Sequence, residues 1–131
     1  GEGCANDTGS GALLTGAGSA SVGADDLVLS ATNLTSGPGL FFQGDNAVNG
    51  GNGNTFGDGL RCAGGNVRRL EVSFANSGNG FTTTTTTSIV SDGGVSAGDT
   101  KRYQLWYRDP LTSPCGAQFN LSNGVEITYS S

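Results

Sequence analysis

The chain of 131 residues contains no histidine and no methionine, one tryptophan, three prolines and only 6 lysines and arginines against 11 acids. Each scarcity excludes something. Without histidine, Ser-His-Asp and Cys-His catalysis and histidine-ligated metal chemistry are closed to this chain. A formal net charge of −5 gives no basic face for nucleic acid. No apolar run approaches the roughly 20 residues of a membrane-spanning helix. What remains is a chain rich in Gly (24 residues), Thr, Ser and Asn, with its apolar residues in short clusters. That is the composition of an all-β protein with many turns. The length suits one domain with one core. Residues 1–14 read as an N-terminal arm and 15–131 as a single domain.

The clearest pattern is Lys101-Arg-Tyr-Gln-Leu-Trp-Tyr-Arg108. It alternates, so Tyr103, Leu105 and Tyr107 share one face, opposite Gln104, Trp106 and Arg108. Phe119–Tyr129 places Val125, Ile127 and Tyr129 on one face. Leu27, Leu29 and Ala31 form another set, and Leu40-Phe-Phe-Gln43 a short buried strand. Val67–Phe74 reads as a strand with Leu70, Val72 and Phe74 inward. Residues 11–23 suit a small-residue edge strand or two short ones, and Asn76–Gly80 a hairpin turn. Thr82–Thr87 followed by Ser88-Ile-Val90 reads as strand, because β-branching disfavours helix. Gly44–Gly59 reads as one long loop. Eight to ten short strands at this spacing predict an antiparallel β-sandwich, jelly-roll or Ig-like.

The three cysteines, Cys4, Cys62 and Cys115, leave one over if two pair. A Cys62–Cys115 bridge would close a loop of roughly 50 residues, worth about 4 kcal/mol by chain entropy. Cys4 would then be a free or intermolecular thiol. A Cys4–Cys62 bridge is the rival. A start at Gly1 without methionine suits a processed or truncated product, and the composition suits secretion by a bacterium.

Four stretches carry a resemblance: Gly3-Cys4-Ala5-Asn6, Phe56–Gly65 with Arg69-Leu70 behind it, Tyr103–Asp109, and Phe119–Gly124. Together they resemble an uncharacterised C-terminal β-module of large secreted proteins from myxobacteria and planctomycetes. The resemblance implies export, a β-rich fold and attachment behind longer extracellular regions. It implies no catalytic residues. In similar modules a Cys-x-Cys segment precedes Gly3-Cys4, which implies an upstream partner for Cys4. The threonine run is not usual in them.

Four kinds of site are then candidates. Asp45, Asn46 and Asp58, with Asn49, Asn52 and Asn54, concentrate oxygen donors as calcium prefers, without EF-hand spacing. The plain alternative is a Gly/Asn loop, and no other cofactor is indicated. Trp106, with Tyr103 and Tyr107, offers aromatic faces to a polysaccharide, unless Trp106 is core. The Asn6, Asn33 and Asn120 sequons and O-linked sugar on the threonine run are formal matches only. Thr82, Thr84 and Thr86 on an uncharged strand edge invite pairing with another copy, as does the N-terminal arm. The acids mostly sit beside Gly, Asn or Ser as turn residues, so no carboxylate pair for glycosidase chemistry stands out. The expectation is a non-enzymatic structural or adhesive protein of the cell surface or extracellular space, self-associating into a filament or layer. A carbohydrate-binding module is the alternative.

Overall fold

The computed structural model describes residues 11–34, 37–47, 54–56, 59–61, 63–65, 67–75, 82–83, 88–108 and 119–131. All three cysteines, Asp58 and Thr84–Thr87 lie outside them. The elements are β1 (Leu13–Ala17), β2 (Val28–Thr32), β3 (Gly37–Gly44), β4 (Asn46–Ala47), β5 (Asn54–Phe56), β6 (Gly59–Arg61), β7 (Ala63–Gly64), β8 (Arg68–Ala75), β9 (Thr82–Thr83), α1 (Ile89–Gly93), β10 (Thr100–Arg108), β11 (Phe119–Leu121) and β12 (Val125–Thr128). The fold is mostly β, and every strand ladder is antiparallel. β1 begins at Leu13, so the arm boundary expected at residue 14 falls inside a strand.

Two sheets share the main core. One has the order β1-β2-β9, the other β11-β10-β3-β8 with β12 also on β10. Leu14, Leu29 and Ala31 from the first meet Phe41, Tyr103, Leu105 and Tyr107 from the second, with Ile89, Val95 and Tyr129 closing the cluster. Burial of a residue such as Phe41 or Leu105 contributes roughly 2–3 kcal/mol. The alternation in β10 thus sorts its side chains as its sequence predicts, because a strand paired on both sides keeps a strict period of two.

β11 and β12 lie end to end along one edge of β10. Ser122 bridges the gap: its N–H donates to the Leu105 carbonyl (3.0 Å), and its Oγ accepts from the Leu105 N–H (2.9 Å). Asn123 then reaches across to β1, accepting from the Leu14 N–H (2.6 Å) and donating to its carbonyl (3.2 Å). Asn123→Ala leaves both backbone groups of a core strand without these partners, at a cost of about 1–3 kcal/mol. The urea midpoint should fall accordingly, with faster hydrogen exchange at the Leu14 amide. An unchanged midpoint would refute the clamp.

Three stretches differ from expectation. Ile89–Gly93 is a helix, not a strand. Ser88 caps it, accepting from the Ser91 N–H (3.1 Å) and donating to Asp25 (2.6 Å), and Gly94 closes it in the left-handed conformation. The long loop expected over 44–59 contains strands: β4 pairs β7, and β5 pairs β6. In β8 only Leu70 packs against the core, while Val72 and Phe74 are 62% and 71% exposed. A bulge is the cause. Phe41 opposes Glu71 and Phe42 opposes Arg69, so Leu70 has no residue opposite it, and alternation restarts with the other parity.

Beneath the five-stranded sheet runs a buried polar chain. Tyr129 donates to the Tyr103 hydroxyl (2.7 Å), Tyr103 donates to Gln43 Oε1 (2.9 Å), and Gln43 Nε2 donates to the Gly93 carbonyl (2.9 Å). Every member is satisfied, as burial requires. Burial, and next the Tyr129 hydroxyl, push the Tyr103 phenol far above its ordinary range, and burial raises Tyr129 as well.

Candidate functional site

The outer face of the five-stranded sheet carries the site. The ladders put Leu121 opposite Trp106, Trp106 opposite Leu40, and Leu40 opposite Val72. One apolar row therefore crosses four strands. The next row toward the start of β8 is Gln104, Phe42 and Arg69, and Phe74 stands opposite Pro38 on the other side. Part of this face is covered. Phe42, Leu121 and Ala63 form a second small core with Trp106 packed against it. Buried Gln104 holds that cover, accepting from the Ala63 N–H (3.3 Å) and donating to the Ser122 carbonyl (2.7 Å).

The rest is open. A groove of about 620 Å3 is lined by Leu40, Phe42, Val67, Arg69, Leu70, Glu71, Val72, Trp106 and Leu121. Among the described residues, Val67 (43% exposed), Val72 and Phe74 are three of the few large apolar side chains at the surface, and all three lie on or beside this face. Scattered apolar residues are ordinary at a surface, but a contiguous patch marks an interaction site. Arg69 and Glu71 put one charge of each sign on the rim.

The expected sites fall as follows. Trp106 is half-buried and lines the groove. Tyr103 and Tyr107 cannot join it in binding sugar: both are buried in the core on the opposite side of the sheet, at 0% and 2% exposure. The sequon asparagine Asn120 is fully buried, and its Oδ1 accepts from the Leu121 N–H (2.8 Å), so the folded chain has no room for a glycan there. Asp45 holds Lys101 in an ion pair at 2.6 Å, and its carbonyl accepts from Arg102 (2.9 Å). An ammonium in contact with Asp45 occupies the place a cation would take. Asn46 is exposed, with its amide against Gly65. No group of three or more His, Cys, Asp or Glu able to hold a metal occurs among the described residues. Thr82 and Thr83 form β9 at an edge of the three-stranded sheet, paired to Ala31 and Ser30 of β2. Among the described residues no helix is long and apolar enough to cross a membrane.

Val72 and Phe74 are the exposed apolar residues the sequence conceals, since their alternation with Leu70 reads as core. The chain matches no protein-family model, no curated protein and no solved structure.

Proposed function

We propose that this chain is a non-enzymatic extracellular structural or adhesive protein, a β-sandwich of jelly-roll or Ig-like kind that associates through the open face of its five-stranded sheet. One observation carries the reading: Val72 ends an apolar row at the surface, and Phe74 stands exposed one row beside it. Exposing two such residues on one strand costs solubility and gives no folding stability, so an interface accounts for them better than the fold does. The absence of histidine supports a non-catalytic role.

Val72→Asp tests this. It puts a charge into the middle of the row at an exposed position, so the melting temperature should stay nearly constant. Retention on alkyl-coated beads should fall about tenfold, the worth of one buried valine side chain. Retention equal to that of the wild type would sink the proposal.

A carbohydrate-binding role is the second reading, favoured by Trp106 in a groove beside Arg69 and Glu71. Affinity electrophoresis in polysaccharide gels separates the two. The adhesive reading expects unchanged mobility, whereas a retardation abolished by Trp106→Ala would transfer the assignment to sugar.

A further inference from the structure

We infer that the partner of this face is a second copy of the chain, docked face to face about a two-fold axis along the uncovered Trp106–Leu40–Val72 part of the row. The inference rests on the proposed use of that face and goes further by naming its occupant.

The order of chemistry along β8 selects the partner. Val72 lies in the row. Phe74 lies one row to one side and the Arg69 row lies to the other, each about 7 Å away by the rise of a strand. Phe74 is 71% exposed. Arg69 is exposed too, and its guanidinium has no hydrogen-bond or ion-pair partner among the described residues. A ring on one side of an apolar row and a cation on the other are complementary to the same arrangement turned by 180°. Docked this way, Phe74 of each copy stands over Arg69 of the other, giving two cation–π contacts per dimer. Val72, Leu40 and the exposed side of Trp106 meet their own counterparts, at the roughly 10 Å spacing of packed sheets.

The alternatives fit less well. The groove is too open to bury a small apolar ligand, which normally hides most of its surface. A polysaccharide would need more polar partners than Arg69 and Glu71 supply among the otherwise Leu, Val, Phe and Trp side chains of the lining. The formal net charge of −5 opposes indiscriminate contact between copies. The face itself is balanced, with Arg69 against Glu71, so repulsion does not act where the copies would meet.

Sedimentation velocity of the full 131-residue chain over a concentration series tests this. The wild type should show a concentration-dependent dimer. Phe74→Arg sets cation against cation at both symmetry-related contacts and should weaken it about tenfold, whereas Arg69→Phe exchanges each cation–π contact for a ring pair of similar worth and should stay within about threefold of the wild type. The double variant exchanges ring and cation and should recover to within about threefold of the wild type. Phe74→Ser serves as a second variant, with the same tenfold loss expected. A double variant no tighter than Phe74→Arg alone would overturn the inference, as would a wild type still monomeric at about 1 mM. The alkyl-bead assay separates the two levels of failure. A monomer whose retention still depends on Val72 has an adhesive face with a different partner. A monomer whose retention ignores Val72 loses the adhesive reading as well.

Discussion

Gly44→Ala should lower the stability of the domain by about 3 kcal/mol and its melting temperature by about 10 °C, a large effect for one methyl group. The reason is a contact between two backbones. A Cβ at Gly44 would lie 2.4 Å from the Gly64 nitrogen and 2.5 Å from its oxygen. No rotamer change relieves such a clash, because the obstructing atoms belong to the β4–β7 ribbon. The ribbon must move, and Ala63 moves with it. Ala63 is fully buried against Phe42 and Leu121 and accepts no substitute from solvent. The same substitution should therefore enlarge the open part of the sheet face and increase binding of a hydrophobic dye. Gly23→Ala is the control: only Ser21 Oγ, at 3.9 Å, comes near its added Cβ, and it should melt within a degree or two of the wild type. If Gly44→Ala behaves like Gly23→Ala, the close approach is not a constraint.

Alkaline conditions should unfold the protein well before they damage it. The sign follows from the two buried phenols. Tyr103 and Tyr129 both have folded-state pKa values raised above the unfolded value, burial being the leading cause for each. Below about pH 10 both states keep these protons, and the stabilisation from the buried pair is whole. Above it the unfolded chain releases protons that the folded chain retains. Stability then declines by up to about 1.4 kcal/mol per tyrosine for each pH unit, or about 2.8 for the pair. Over two pH units this approaches half the stability of a typical domain. Denaturant midpoints between about pH 8 and pH 11 measure the slope. Tyr129→Phe isolates the tyrosines: Tyr103 keeps its bond to Gln43 (2.9 Å), while one titrating group disappears, so the slope should fall by about half. A slope indifferent to Tyr129→Phe would mean the pair does not control alkaline stability.

The sequence displays some elements of this fold more openly than others, and the reasons are local. β10 is flanked by β3 on one side and by β11 and β12 on the other. Its pleat is unbroken, so the alternation of Tyr103, Leu105 and Tyr107 against Gln104 and Trp106 translates directly into inside and outside. The same alternation already places both tyrosines away from Trp106, which is why they make no shared sugar platform. α1 has a legible cap at Ser88 and a legible stop at Gly94. Five helical residues are too few to show a helical period, and the preceding threonines favour reading on as strand. β4 to β7 are two or three residues long, and their Gly and Asn content resembles that of a loop. β4 pairs with β7 across the whole of β5 and β6, beyond any short window, while β5 and β6, only two residues apart, are each too short to show an alternation. β8 is the instructive case. Leu70-Glu-Val-Ser-Phe74 alternates without fault, yet the extra residue in the ladder arises from how β3 meets it, not from anything visible in β8 alone.

That extra residue has an arithmetic consequence. With Arg68 opposite Gln43 and Arg69 opposite Phe42, an unbroken ladder would carry Leu70, Val72 and Phe74 all to the interior. The position of the irregularity along the strand decides how many of the three stay inside. Sliding it two positions toward the end of β8 would withdraw Val72 and leave Phe74 alone at the surface; sliding it off the end would withdraw both. The apolar surface that β8 exposes is thus a quantity set by counting, adjustable in discrete steps by moving one irregularity, with the amino-acid composition of the strand held constant.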